Sequence, residues 1–175
     1  MTGPIRIRPY ADADLPAVRA LFIAVNEELA PAHLRDAFAS YIARSLREEV
    51  DCIPAYYAAR SGSFWIVEEH DGALLGMFGL ESAGPGAVEI RRMYVAPQAR
   101  RRGVAREMLA RAESIAQAAG CERIVLSTSE LQAAALALYR AAGYRLVHEE
   151  VAEAESNKTV GTGLRRFHFA KELGR

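Results

Sequence analysis

The order of apolar and polar positions along the chain predicts alternating strands and helices. Residues Ile5-Arg6-Ile7-Arg8 alternate apolar and charged side chains, which is the period of a half-buried strand. Apolar residues then recur at helical spacing between Leu15 and Leu29, and again from about Leu34 to Val50. Further strands are predicted at 63–69, 73–80, 88–95, 123–127, from 144 and at 164–173, and further helices at 103–119 and 131–141. An antiparallel meander followed by strand–helix–strand units predicts a mixed α/β sheet.

Length and composition limit the class of protein. The 175 residues suit one domain with one core, so a single domain over residues 1–175 is expected. The 22 basic residues equal the 22 acidic ones in number, which argues against an extended nucleic-acid surface. No apolar run approaches the ~20 residues that cross a bilayer, and the charged start does not resemble a signal peptide. We therefore expect a cytoplasmic protein without membrane or nucleic-acid partners.

The cysteines and histidines indicate neither disulfides nor a metal. Cys52 and Cys121 are far apart and have no neighbouring metal ligands, as is typical of reduced thiols in a cytosolic protein. The histidines are scattered without metal-ligand spacing and are interpreted as surface or strand residues. They are His33, His70, His148 and His168. No metal is predicted.

The stretch from Met93 to Ala105 carries the strongest chemical signal. A strand here passes through a short loop into a helix, and the first N–H groups of a helix have no internal partners. The helix dipole adds partial positive charge, so such a terminus suits a phosphate or pyrophosphate. Gly103 permits close backbone approach, and three preceding arginines add charge. The alternative is a solvated basic loop before an ordinary helix; the P-loop and dinucleotide glycine patterns are both missing.

Two motifs give the chain a family resemblance. The pattern Arg-x-x-Gly-x-Ala at residues 100–105, after a strand ending Tyr-Val-Ala-Pro, resembles the acetyl-coenzyme A signature of the GNAT superfamily. A second signature follows at family spacing, with Ala135-x-x-Leu138-Tyr139 and then Gly143-Tyr144. Residues 128–132, 56–57 and 64–67 are similar to the branch that includes eukaryotic cysteine-conjugate N-acetyltransferases, although those enzymes carry a membrane-spanning segment that this chain is expected to lack.

The resemblance covers nearly the whole chain and implies both a fold and a cofactor site. The fold is a GNAT-like mixed, mostly antiparallel twisted sheet of about seven strands flanked by about four helices. The co-substrate is acetyl-CoA, with its thioester in a gap between the strand ending at Val95 and the strand 123–127. Gln132 stands where many members have Asn, and its longer amide would reach the pantetheine arm. The implied cofactor-binding residues are Met93, Tyr94, Val95, Arg100, Arg101, Arg102, Gly103, Val104, Ala105, Gln132 and Tyr139.

Two residues are the candidate catalytic groups. An amine attacks a thioester as its free base, so a carboxylate is needed to take its proton, directly or through water. Glu89 matches a glutamate with this role in some relatives; the alternative is a strand glutamate paired with Arg91 and Arg92. Tyr139 stands at the family position for the donor to the departing thiolate, and the alternative is a packed core tyrosine. A backbone N–H near Met93 or Tyr94 would hold the oxyanion. This layout implies direct transfer without a covalent enzyme intermediate.

The acceptor is expected to be an amine of a small molecule or peptide, but the sequence does not name it. Specificity in this architecture comes from the early helices and a late loop, here residues 26–28, 56–57 and the polar segment 152–163, which is predicted to be a mobile linker. Acidic residues there would attract a cationic amine; a solvated acidic surface is the simpler alternative. They are Glu27, Glu28, Glu149, Glu150, Glu153 and Glu155.

Two further functions are open at the level of sequence. A domain of the same fold could hold an acyl-CoA as a sensor and catalyse nothing, although the presence of both Glu89 and Tyr139 argues against it. The arginines 100–102 could contact nucleic acid, but the neutral net charge and the lack of interleaved aromatic residues oppose this. The oligomeric state is also open, with a homodimer as one alternative.

Overall fold

The computed structural model describes residues 5–174 and contains one seven-stranded sheet in the order β1-β2-β3-β4-β5-β7-β6. Neighbouring strands are antiparallel except β4 and β5, which run parallel. The mixed, mostly antiparallel sheet predicted from the sequence is confirmed. The strands are β1 Arg6–Pro9, β2 Ser63–Glu68, β3 Leu74–Ser82, β4 Ala87–Val95, β5 Arg123–Ser129, β6 Arg145–Ala152 and β7 Leu164–Glu172.

Four longer helices and one short helix flank the sheet. The short helix contains the Tyr56-Tyr57 pair, for which the sequence pattern indicated no helix. It begins with Pro54 in its first turn, where the missing N–H of proline costs nothing. The helices are α1 Leu15–Leu29, α2 Arg35–Glu48, α3 Ile53–Ala58, α4 Val104–Ala118 and α5 Ala133–Ala141.

Helices cover both faces of β3, and two glycines mark where they approach. A Cβ built at Gly79 would collide with the ring of Tyr57 on α3, whereas a Cβ at Gly76 would lie 3.0 Å from the sulfur of Met108 on α4. Residues an odd number apart on a strand face opposite sides of the sheet. Helix α3 therefore packs on one face and α4 on the other, with the fully buried Phe22 of α1 and Met108 among the core residues.

The sheet opens between its two central strands. Strands β4 and β5 pair at Ala87–Arg123, Val88–Ile124 and Glu89–Val125. Beyond Glu89, β4 continues to Val95 and pairs with β3, while β5 continues to Ser129 and pairs with β7. The two strands diverge along this stretch and leave a cleft in the middle of the sheet.

Candidate functional site

The cleft between β4 and β5 contains a cavity of about 90 Å³ lined mainly by polar side chains. Strand β4 contributes one wall. The remaining lining comes from α2, the end of β5, the residue before α5, β7 and the 152–163 segment. Among the residues predicted for the site, Glu89, Tyr94 and Gln132 line this cavity. The lining also includes Asn157 and Lys158 of the 152–163 segment, which was expected to contribute to acceptor specificity, and Tyr41, Ser127 and Arg166, which the sequence did not indicate.

A β-bulge shapes the β4 wall. Gly79 pairs with Arg91 and Met77 with Tyr94, so the single residue Phe78 lies opposite Arg92 and Met93. Arg92 has a φ of 50°, the left-handed region that a non-glycine residue adopts only at a specific site. A bulge bends its strand and redirects side chains. The predicted binding residues Met93, Tyr94 and Val95 therefore follow the bulge on the part of β4 that has separated from β5.

Tyr139 and Met93 are brought together at the part of β4 that has separated from β5. Tyr139 on α5 is buried, with its ring centroid 6.0 Å from those of Tyr144 and Phe169. Its hydroxyl lies 4.0 Å from the sulfur of Met93. Burial, with a smaller contribution from Tyr94, raises the pKa of Tyr139 well above its ordinary value, so the hydroxyl keeps its proton. The ring packs in the core, as the alternative interpretation holds, while the hydroxyl points at the strand edge.

Glu89 lies at the point where β4 and β5 separate. Its side chain is 19% exposed, and one carboxylate oxygen accepts a hydrogen bond of 2.6 Å from Nζ of Lys158. The sequence suggested Arg91 and Arg92 as ion-pair partners for Glu89, and both instead bind Glu49. Glu89 thus faces the cleft and holds a partner that the sequence did not indicate.

The arginines of β4 belong to a buried ionic cluster centred on Glu49, which directly follows α2. Glu49 has no exposed surface and accepts hydrogen bonds from Arg91 at 2.6 Å, from Arg92 at 2.7 Å and from the hydroxyl of Tyr57 at 2.8 Å. Consecutive strand residues normally face opposite sides of a sheet. The bulge at Arg92 is what allows both guanidinium groups to reach one carboxylate. Two adjacent arginines in a strand whose other residues, apart from Glu89, are apolar or aromatic were the available signal, since buried charges need a partner.

The segment 152–163, predicted to be mobile, is held against the site. The backbone oxygen of Asn157 accepts a 2.6 Å hydrogen bond from Arg92. Lys158 bridges Glu89 at 2.6 Å and Glu81 at 3.0 Å, and Val160 is buried. Through these contacts the 152–163 segment forms one wall of the cavity.

The acidic residues near the proposed acceptor region are mostly paired with basic side chains. Glu28 binds Arg100, and Glu155 binds Arg44. Glu149 lies near Arg165, and Glu150 near His168, whose hydrogen bond holds the pKa of Glu150 below its usual range. This pairing favours the solvated-surface interpretation of these acidic residues over attraction of a cationic amine.

The predicted anion site lies at the start of α4. Arg101 and Gly103 both have left-handed backbone conformations, with φ of 61° and 82°, and the chain turns through them into a helix that begins at Val104. A Cβ built at Gly103 would meet no atom within 4 Å, so the backbone there faces open space. The N–H groups of the first helical turn at Val104 and Ala105 point out of the helix end.

The three arginines of this loop differ in their partners. Arg100 makes two 2.7 Å hydrogen bonds to the carboxylate of Glu28, and Arg102 contacts Glu69. Arg101 is exposed. Surface ion pairs of this kind contribute at most about 1 kcal/mol to stability, so they can be exchanged for another anion at little cost.

Gln132 occupies the position before α5. Its side-chain oxygen accepts a hydrogen bond of 2.6 Å from the hydroxyl of Thr128. The residue also lines the cavity, so the amide lies at the cleft and is held by β5. Within residues 5–174, no cluster of three or more histidine, cysteine or acidic side chains is arranged to hold a metal ion. In the same range, no helix has the length and apolar character to cross a membrane.

Comparison with known proteins agrees with this arrangement. The chain is 32% identical over 115 residues to N-acetyltransferase family 8 member 3 of Rattus norvegicus, a match that covers 62% of the chain and 50% of the relative. The chain thus spans about half the length of that curated relative.

Solved structures share the fold over almost the entire chain. A GNAT-family acetyltransferase from Staphylococcus aureus Mu50 superposes with a TM-score of 0.76 at 14% identity, covering 98% of this chain and 100% of the other. A spermidine N-acetyltransferase from Vibrio cholerae, solved in complex with CoA and spermine, superposes with a TM-score of 0.73 at 18% identity, covering 97% and 95%. The profile of the acetyltransferase (GNAT) family matches residues 25–144, well over half of the chain. The chain therefore belongs to the GNAT acetyltransferase family.

Proposed function

We propose that this chain is an acetyl-CoA-dependent N-acetyltransferase that transfers an acetyl group to an amine of a small molecule by direct attack. The observation that carries the proposal is the cleft between β4 and β5. It has a carboxylate, Glu89, where the strands separate, a tyrosine hydroxyl, Tyr139, beside Met93 on the separated part of β4, and an open helix N-terminus at Gly103 beyond the end of β4.

The residues at the start of α4 fit a diphosphate. The backbone at Gly103 faces open space, and the first-turn N–H groups of Val104 and Ala105 are free to donate. Arg101 is exposed, and Arg100 and Arg102 are held only by surface glutamates. These residues would hold the pyrophosphate of acetyl-CoA, and Met93 to Val95 would line the pantetheine arm. Acetyl-CoA supplies the activated acyl group; a relative of the same fold was solved with CoA bound.

Glu89 is the proposed proton acceptor. Amines are largely protonated near neutral pH, and only the free base can form the new C–N bond. Glu89 faces the cavity and is partly open to solvent, so it can take the ammonium proton directly or through water. Lys158, which binds Glu89, must move aside or share the carboxylate when the acceptor enters.

Tyr139 is the proposed proton donor. As the C–N bond forms, the C–S bond breaks and the sulfur of CoA leaves with the electron pair. The hydroxyl of Tyr139 is protonated, because burial raises its pKa, and it lies beside Met93 on the cleft edge. Cys52 and Cys121 are both absent from the lining of the described cavities, which supports direct transfer over a covalent cysteine intermediate.

A silent acyl-CoA sensor is the second candidate, and the Glu89–Lys158 ion pair favours it because that pair occupies the proposed base. Release of free thiol from acetyl-CoA across a panel of amines separates the two functions. We expect thiol release that depends on the amine and falls about 100-fold in Glu89→Gln, the scale of a lost general base. Glu149→Gln, at an exposed strand glutamate, is the matched control. Tight CoA binding without thiol release for any amine would establish the sensor instead.

A further inference from the structure

Arg166 lies at the cleft and differs from the neighbouring basic side chains in its hydrogen-bond partner, which is a serine hydroxyl and not a carboxylate. It lies on β7 opposite Ser129 of β5 and Glu150 of β6. Its guanidinium donates a 2.5 Å hydrogen bond to the hydroxyl of Ser127. Arg166 lines three adjoining cavities along the cleft, the largest of about 410 Å³, and Glu89 lines two of them.

The other basic groups of the cleft each hold a carboxylate. Arg91 and Arg92 bind Glu49, and Lys158 binds Glu89 and Glu81.

The same holds for the basic neighbours of Arg166 on β7. Arg165 pairs with Glu149. His168 makes a hydrogen bond to the carboxylate of Glu150, the residue opposite Arg166. No carboxylate within residues 5–174 forms an ion pair with Arg166.

A half-buried guanidinium without an anion is costly, because its charge has lost water and gained only a hydroxyl. Burial lowers the pKa of Arg166 below its ordinary value, although Tyr41, Glu150 and Glu89 oppose this at longer range. The planar fork of arginine matches a carboxylate through two parallel hydrogen bonds. The cavity wall thus contains a guanidinium group, that of Arg166, for which residues 5–174 provide no carboxylate partner.

We propose that Arg166 binds the carboxylate of the acceptor, and that the acceptor is a free α-amino acid. This inference rests on the proposed function, because it places the amine at Glu89. Glu89 and Arg166 line the same cavities, so one small molecule can reach both. An α-amino acid carries its amine and carboxylate on one carbon, which matches two groups sharing a small cavity. A polyamine would place positive charge against Arg166 and is disfavoured.

The test compares each standard L-amino acid with its own primary carboxamide, which keeps the side chain and the amine but removes the negative charge. Calorimetry on the full chain saturated with CoA measures binding, and thiol release from acetyl-CoA measures turnover. We expect at least one amino acid to bind about 10- to 100-fold more tightly than its amide, the range of a charge-assisted pair. In Arg166→Gln this preference is lost, while the Kd for CoA is unchanged. Arg166→Lys keeps the charge without the fork and retains part of the preference.

The results separate failure of this inference from failure of the proposed function. Amides that bind and react as well as the acids would overturn the role of Arg166 and leave acetyl transfer intact. A preference for acids that persists in Arg166→Gln would also overturn it, provided that the melting temperature shows a folded variant. CoA binding without thiol release for any acceptor would overturn the proposed function itself, and no binding of any amino acid would overturn the inference.

Discussion

The closed ionic cluster at Glu49 and the open cleft use arginine in opposite ways. On the side of α2 and α3, Arg91 and Arg92 are buried and satisfy Glu49 within one closed cluster. At the open cleft Arg166 holds only a serine hydroxyl, and in the loop before α4 Arg100 holds an exposed glutamate. An arginine whose protein partner is fixed and buried maintains the fold. An arginine whose partner is missing or exchangeable is available to a ligand.

The closed cluster also supports the open cleft. Glu49 holds the bulged part of β4 through Arg92, and Arg92 in turn holds the backbone of Asn157. The bulge at Arg92 lies on the part of β4 that has already separated from β5 after Glu89. The buried ionic contacts therefore hold the part of β4 that forms one wall of the cleft and link it to the 152–163 segment.

The largest effect is expected from Glu49→Gln. This change keeps the shape of the side chain but leaves the buried Arg92 without an anion and Arg91 with Glu81 alone. Removing one partner from a buried ion pair costs about 3–5 kcal/mol. The free energy of unfolding, measured by urea titration, should fall by that amount.

Glu28→Gln is the control for this change, because it removes the partner of the exposed Arg100 and should cost less than about 1 kcal/mol. Equal losses of unfolding free energy in the two variants would remove the distinction between the buried Glu49 cluster and the exposed, exchangeable arginine pairs.

Gly103→Glu should act on ligand binding. Glutamate adds bulk and negative charge where the diphosphate is proposed to lie, and the Kd for CoA should rise about 100-fold. Gly103→Asn is the matched control, because asparagine tolerates the left-handed conformation and carries no charge. Calorimetry of both variants checks this, and CoA binding to the glutamate variant at wild-type affinity would contradict the assignment.

Tyr139→Phe should lower turnover while leaving coenzyme binding intact. The hydroxyl is the proposed proton donor, so kcat should fall about 10- to 100-fold, with little change in the Kd for CoA. Tyr144→Phe, on the neighbouring ring, loses a hydrogen bond to Glu113 away from β4 and should keep its kcat. A parallel loss of binding and turnover in Tyr139→Phe would argue for a packing role alone.

The smallest effect concerns the pH dependence of stability at Tyr94, on the boundary between the two regions. Burial raises the pKa of Tyr94 to about 12 from an ordinary value of 10.0. Its stabilising contribution is complete below pH 10 and is lost as the pH rises from there towards 12. Between pH 9 and pH 11 the wild type should lose about 1 kcal/mol more stability than Tyr94→Phe, which has no proton to release. The difference in free energy of unfolding between the wild type and Tyr94→Phe, measured by urea titration, should therefore change by that amount between the two pH values. An unchanged difference would contradict this prediction.

The sequence predicted well the two helices next to the proposed coenzyme site, α4 and α5. Local signals specify them, such as the glycine before α4 and the helical spacing of α5, so Gly103 and Tyr139 could be assigned to positions by motif. The strand alternation likewise predicted the sheet.

The closed cluster and the acceptor wall could not be predicted in the same way. Glu49 contacts Arg92 because of a bulge in which Arg92, a non-glycine residue, has a positive φ. No local sequence pattern predicts such a bulge. Arg166 reaches the cleft from β7 without any signal in the sequence. Lys158 belongs to the 152–163 segment, which was expected to contribute to acceptor specificity, but its pairing with Glu89 was not indicated. Such contacts join residues far apart in the chain, and charge pattern alone does not reveal which pairs will meet.

The most direct test compares the binding of CoA with that of pantetheine, which lacks the diphosphate and the nucleotide attached to it, by calorimetry on the wild-type chain. If the start of α4 holds the diphosphate, CoA should bind about 100-fold more tightly than pantetheine. Equal affinities, or no binding of CoA to the folded protein, would contradict the account.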